Sequence, residues 1–329
     1  MRNYLFAALI AFLLCVVFLF LLLPLLKRKK AGQEILEYVK EHSYKSGTPT
    51  MGGIAIILAI LIAGLIFGKG KFVYITLAVT AAYGVTGFLD DSIKIHYKRN
   101  LGLRPYQKII LQLSIALIVA FVVYKNELIR GDVYVPFTKN TVSLGWGVVP
   151  LVVFIFIATT NSVNLTDGLD GLAASTTLVY MAGIAAIIAI VAADADKNGL
   201  SLYVREYQGL LTVCFAAVGS LAGFLLFNCF PAKIFMGDVG SLALGGVVAC
   251  VSILGRLSLY IPILGVMFVT SAVSDVIQVV HFKRTKKRVF LMAPFHHHLQ
   301  KKGLSETRIG FLYATITGIV ALICVLVLV

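Results

Sequence analysis

Ten stretches of this chain run for sixteen to twenty-three residues with at most one charged side chain each. They lie at roughly 4–26, 51–67, 72–89, 107–124, 148–163, 172–193, 207–227, 239–255, 259–280 and 308–328. A helix of about 20 apolar residues crosses the hydrocarbon core of a bilayer. Within that core every backbone polar group must be bonded internally, which leaves only helices and closed barrels. Strand-type alternation is local here, so a barrel is excluded and the predicted fold is an all-α polytopic integral membrane protein of about ten transmembrane helices. The composition agrees: 13% of the residues are charged, against about 25% in a soluble domain. The first run exceeds a signal h-region, has no small-residue cleavage site and ends in "KRKK" (27–30), so an uncleaved first span is expected. The chain reads as one transmembrane domain without an internal repeat.

The formal net charge of +14 would suit a nucleic-acid binder. However, the basic residues sit between the spans, which points instead to an anionic membrane face or a phosphorylated substrate. The odd-numbered loops carry most of them: "KRKK", Lys40 and Lys45, then Lys94, Lys98, Arg99 and Arg104, then "KRTKKR" (283–288), Lys301 and Lys302. By the positive-inside rule the odd loops face the cytoplasm and both termini face outward. In the outer loop 125–147, "DVYVPF" and "TVSLGWG" alternate as a small β-hairpin would. "GSLAG" (219–223) is a GxxxG that lets two helices approach closely. The five cysteines lie within or beside apolar runs with no disulfide or metal spacing.

The odd loops also gather the unusual polar residues. "DDSIK" (90–94) places Asp90 and Asp91 together, with Asp90 and Lys94 four apart on one helical face. Alone, this could be an ordinary solvated span end. "NSVNLTDGLDGLA" (161–173) spaces Asn161, Asn164, Asp167 and Asp170 by three, a drifting polar stripe if the segment is helical. Such a stripe lines a cavity or an interhelical hydrogen-bond seam rather than facing lipid. "MGDVGS" (236–241) sets Asp238 at a helix start, where it could simply be a cap. "APFHHHLQKKG" (293–303) brings His296, His297 and His298 in succession. Adjacent histidines rarely chelate one metal, so a polar wall for phosphate or sugar oxygens is the favoured reading. "KSGTPTMGG" (45–53) puts Lys45 before two hydroxyls and a glycine pair, a pattern suited to an anion or to a capped helix start. Carboxylates beside Lys45, Lys94 and Lys108 point to a divalent ion and phosphates. Mg²⁺ takes a few carboxylates and fills its other positions with water and substrate phosphate. The expected site is therefore assembled from loops at about 27–50, 90–106, 161–171, 228–240 and 281–307.

These five blocks, in chain order from "KSGTPTMGG" to "APFHHHLQKKG", resemble the polyprenyl-phosphate N-acetylhexosamine-1-phosphate transferases, and "APFHHH" resembles their muramoyl-pentapeptide branch. The resemblance implies transfer of phospho-N-acetylmuramoyl-pentapeptide from its UDP conjugate to undecaprenyl phosphate, giving UMP and lipid I for peptidoglycan synthesis. It further implies Mg²⁺, a bacterial cytoplasmic membrane with its lipids, and a homodimer. Carried onto this chain, it makes Asp238 the direct metal ligand. Either Asp90 or Asp91 then acts as base toward the lipid phosphate or as nucleophile. Asp167 falls in the metal or sugar-phosphate region, with Asn161 and Asn164 as substrate contacts. Gly168, Leu169, Asp170, Asn228 and Phe235 fall to the uridine. Lys45, Lys94 and Lys108 neutralise phosphates, and His296, His297 and His298 meet pyrophosphate or sugar. Gln300, where an acid is frequent in the family, and Asp275 inside a span depart from the pattern. The sibling N-acetylglucosamine-1-phosphate transferases share the acidic blocks. A transporter would instead spread its acids through the span centres.

Overall fold

The computed structural model describes residues 2–28, 47–97, 101–138 and 140–328. Among them are nine helices long and apolar enough to cross a membrane, plus the shorter apolar helix Gly53–Phe67. In chain order they are α1 (Arg2–Arg28), α2 (Gly53–Phe67), α3 (Lys71–Tyr97), α4 (Pro105–Lys125), α5 (Val148–Thr166), α6 (Leu172–Lys197), α7 (Ser201–Asn228) and α8 (Gly237–Leu254), then short α9 (Ile261–Leu264), α10 (Val266–Thr285), short α11 (Phe295–Lys301) and α12 (Glu306–Leu328). The expected ninth span is thus broken at Gly265 into α9 and α10. Strands β1 (Asp132–Tyr134) and β2 (Thr141–Ser143) pair antiparallel between α4 and α5, with Val133 opposite Val142, as the alternation predicts.

The hydroxyls inside the spans are stitched to their own helices. On α3, Thr76, Thr80 and Thr86 donate to the carbonyls of Phe72, Thr76 and Ala82 at 2.7–3.0 Å, which satisfies each polar group without water. At the start of α3, the buried Glu206 carboxylate accepts the N–H groups of Lys71 and Phe72 at 3.0 and 2.8 Å. The acid satisfies donors that the first turn leaves open and complements the helix dipole.

Small residues set the bundle's tightest contacts. Helix α7 packs along α1, and a β-carbon at Gly219 or Gly223 would run into the backbone oxygens of Ala8 or Phe12. Helix α8, rich in Gly and Ala, is the innermost span, with 89% of its length buried, and it packs on α3 and α5. The lipid-facing helices α1, α4, α10 and α12 are only 22–28% buried.

Three boundaries differ from the sequence expectation. Helix α3 runs on to Tyr97, so Asp90, Asp91 and Lys94 are helical rather than in a loop. Helix α5 runs to Thr166 and carries Asn161 and Asn164. Part of the expected last loop, including the histidine run, forms α11. The end of α3, the start of α4, the end of α5 and the start of α8 then meet on the side of the bundle opposite the hairpin.

Candidate active site

Helix α3 brings Asp90 and Asp91 against the first turn of α8. The approach depends on Gly87, because a β-carbon there would collide with the backbone of Asp238 and Val239. Both acids are buried, each 3% exposed. Neither is left with its oxygens unbonded. Asp90 Oδ1 accepts the Leu103 N–H at 2.9 Å, and its Oδ2 lies 2.6 Å from Lys94 Nζ. Asp91 Oδ2 accepts the Val239 N–H at 3.1 Å, serving as a cap for α8 supplied by another helix.

Asp238 sits in the first turn of α8, where the helix dipole favours negative charge. Its Oδ1 accepts an N–H from Asn164 Nδ2 at 2.8 Å, and that same amide donates to Ser241 Oγ at 2.8 Å. Its Oδ2 receives two ammonium groups, Lys94 at 2.9 Å and Lys108 at 2.8 Å. One oxygen from each of Asp90, Asp91 and Asp238 lies within 4.8 Å of the others, the one such cluster of metal-binding side chains among the described residues. Oxygen donors of this kind and charge fit a hard divalent cation such as Mg²⁺.

The loop after α5 lies beside this cluster. Burial, followed by the negative charges of Asp238, Asp91 and Asp170, pushes the Asp167 carboxyl well above the usual carboxylate range. Next to it Gly168 faces the histidine segment, since a β-carbon there would run into the rings of His296 and His297. His296 is fully buried, with its ring 4.4 Å from that of His297 and edge-on to Tyr313 at 6.4 Å. His298 turns to the other side of α11. It accepts the Leu291 N–H at 3.1 Å and stacks on Phe295. Partial burial and Lys302 lower its affinity for a proton. So the three histidines part, as consecutive residues on a helix must, with two toward Gly168 and one away.

Several predicted binding residues have structural partners here. Asn228 accepts from the Gly171 N–H at 3.1 Å and donates to the Ile234 carbonyl at 2.9 Å, tying the end of α7 to two segments of the site. Asp170 accepts the Ala232 N–H at 2.8 Å, and its own N–H donates to Glu306 at 3.1 Å. Leu169 is 4% exposed, packed with Leu172, Met267, Ile309 and Tyr313. Phe235 donates its N–H to the Pro49 carbonyl at 2.8 Å and accepts from Gly52 at 2.9 Å. That pairing draws the "GTPTMGG" block to the segment preceding Asp238. Lys45 lies outside the described residues. Asp275 is half-buried on α10, outside the acidic cluster.

The stripe expected over 161–170 divides. Asn164 turns to Asp238, whereas Asn161 donates to Gln112 Oε1 on α4 at 2.8 Å and to the Ile157 carbonyl, forming an interhelical seam. Sequence reasoning missed Ser241, Gln112, Glu306 and the Leu103 amide. "GDVGS" contains Ser241 and could have suggested it. The other three become visible only when distant segments meet.

A family model described as glycosyl transferase family 4 matches residues 72–256, more than half of the chain. A signature described as phospho-N-acetylmuramoyl-pentapeptide-transferase signature 1 matches residues 45–57. The phospho-N-acetylmuramoyl-pentapeptide-transferase of Clostridioides difficile (strain 630) is 42% identical over 323 residues, 98% of this chain and 96% of the relative. That of Geobacillus kaustophilus is 45% identical over 306 residues, 91% of this chain and 90% of the relative. With helices at the predicted spans and the acidic blocks gathered at one end of the bundle, the chain belongs to glycosyl transferase family 4 and, within it, to the phospho-N-acetylmuramoyl-pentapeptide-transferases.

Proposed function

We propose that this chain transfers phospho-N-acetylmuramoyl-pentapeptide from UDP-N-acetylmuramoyl-pentapeptide to undecaprenyl phosphate, releasing UMP and lipid I for peptidoglycan synthesis. It acts as a Mg²⁺-dependent, single-domain enzyme of the bacterial cytoplasmic membrane. The observation that carries this reading is the convergence of three carboxylates and two lysines at the ends of apolar spans. Such an arrangement handles phosphates where a lipid acceptor can reach it. The relatives' names supply the substrate class.

In the overall reaction an oxygen of the lipid phosphate becomes bonded to the sugar-linked phosphorus of the UDP conjugate. The pyrophosphate bridge breaks, and UMP leaves with the bridging oxygen. Phosphoryl transfer asks a protein mainly for positioning and charge neutralisation. Lys94 and Lys108 supply positive charge at the mouth of the site, being 24% and 18% exposed above the buried acids. An ionised carboxylate at Asp90 or Asp91 serves as base toward the lipid phosphate in a one-step route and as nucleophile in a two-step route. Asp238, with Asp90 and Asp91 beside it, would hold the metal, which when bound contributes charge stabilisation to the phosphoryl oxygens. The basic odd loops support a cytoplasmic site with both termini outside. Family resemblance alone supports a homodimer.

UMP release by purified protein, with undecaprenyl phosphate and Mg²⁺, tests the reading. UDP-N-acetylmuramoyl-pentapeptide and UDP-N-acetylglucosamine are offered in parallel, each with an EDTA control. Metal-dependent release from the first alone is expected. Release from the second alone would move the chain to the sibling branch, and release from neither by folded protein would overturn the activity.

A further inference from the structure

We propose that Lys94 and Lys108 compete with the divalent cation for Asp238, and that the nucleotide's phosphates relieve the competition, so that metal and nucleotide bind synergistically. The inference rests on the reading above that this site takes a metal and a nucleotide diphosphate.

The two oxygens of Asp238 are held by different partners. Oδ1 is held by the Asn164 amide at 2.8 Å. The other oxygen, Oδ2, receives both ammonium groups, at 2.9 and 2.8 Å. A cation among the three carboxylates needs an Asp238 oxygen, and the Asn164 amide and the two lysines between them hold both. Mg²⁺ bonds oxygen at about 2.1 Å. A doubly charged ion at that distance and two ammoniums within 3 Å of the same atom would repel one another strongly in so poorly hydrated a site.

Which groups give way follows from how each is held. The acids are fixed by amide donors: Asp90 by Leu103, Asp91 by Val239 and Asp238 by Asn164. The lysines end flexible four-carbon stems; at 24% and 18% exposed they lie outside the Asp90 and Asp91 side chains, at 4%, and beside Asp238, at 16%, whose short side chain is held by the Asn164 amide. They can swing outward, whereas the acids cannot follow. Charge favours a shared event. Three carboxylates and two ammoniums leave one net negative charge. A divalent cation alone reverses that sign, and a diphosphate arriving with it restores it. The phosphates thereby give the displaced lysines a new partner. By linkage, whatever factor the nucleotide adds to metal affinity, the metal adds to nucleotide affinity.

The test measures Mn²⁺ binding to purified full-length protein in detergent, read from the loss of the free-ion electron paramagnetic resonance signal. Wild type, Lys94→Met and Lys108→Met are titrated without nucleotide, with uridine and with UDP, correcting for the soluble Mn²⁺–UDP complex. In wild type, UDP should tighten Mn²⁺ by about tenfold, within the usual range of such couplings, while uridine, lacking phosphates, should not. Each methionine variant should bind Mn²⁺ about tenfold more tightly than wild type without nucleotide and show a smaller UDP effect. This gain would accompany loss of turnover, a combination that general damage to the site does not produce. Unchanged or weaker Mn²⁺ binding in the variants would overturn the proposal, as would an undiminished UDP effect. Thermal melting checks folding, and if one variant does not fold the other decides. UMP release by wild type is measured alongside. The Mn²⁺ pattern without any turnover would support the lysine competition and overturn the proposed activity alone.

Discussion

At the scale of single residues, the pair Asn161 and Asn164 separates position from residue type. Three residues along a helix are about 60° apart around its axis, enough to send the two amides to different neighbours. Asn164→Ala removes the donor that orients Asp238, so turnover should fall about 10- to 100-fold with the protein still folded, as for other residues that support a metal ligand. Asn161→Ala breaks the seam to Gln112 and the bond to the Ile157 carbonyl, away from Asp238. It should cost about 0.6–1.7 kcal/mol of stability and leave turnover near wild type, which paired melting and UMP-release measurements would resolve. Asp167 makes a prediction in pH. Its carboxyl is raised by burial first and by neighbouring acids second, so the folded protein retains a proton that the unfolded chain releases above about pH 4. This contribution to stability is therefore full below that pH and is lost as pH rises toward the folded value. Asp167→Asn cannot titrate, so its melting temperature should gain on wild type progressively as pH rises above about 4. The acids and lysines of the site were legible in the sequence because carboxylates at the ends of apolar runs need a reason to be there. Their partners were not, because Asn164 to Asp238 and Lys108 to Asp238 are contacts between distant segments.

At the scale of elements, hydropathy located the helices but misjudged their ends. The apolar run of α3 stops at Leu89, yet the helix continues to Tyr97. Hydropathy measures the cost of removing a carboxylate from water, whereas the helix responds to the bonds that Leu103, Lys94 and Val239 then provide. The same blindness hid the break at Gly265, because the residues on both sides of it, Ile261–Leu264 and the first turn of α10, are apolar. Close packing between α3 and α8 gives the prediction at this scale. Gly87→Val would drive a side chain into the backbone at Asp238 and force the two helices apart. Overpacking of this kind costs about 1–3 kcal/mol, and turnover should fall at least tenfold because the acid pair and Asp238 lie on opposite sides of the wedge. A melting curve that drops while turnover is unchanged would show that the acids need not approach so closely.

At the scale of the molecule, the two ends of the bundle do different work. The hairpin end is tied down by Arg256, which bonds Asp132 at 2.8 Å and lies over the rings of Tyr134 and Tyr203. Arg256→Ala should lower the melting temperature by a few degrees, as expected for the loss of a partly buried ion pair and its packing. Turnover at the opposite end should stay within about twofold; a larger loss would mean that the two ends are coupled. The division also has a mechanical consequence. Asp238 rides on α8, the helix most shielded from lipid, whereas Lys108 rides on α4, which is only 28% buried. A bilayer thinner than the apolar length of α4 favours a larger tilt of that helix, while α8, enclosed by its neighbours, meets little lipid. Thinning the surrounding bilayer should therefore change the distance between Lys108 and Asp238, while Lys94, which rides on α3 with the acid pair, keeps its place.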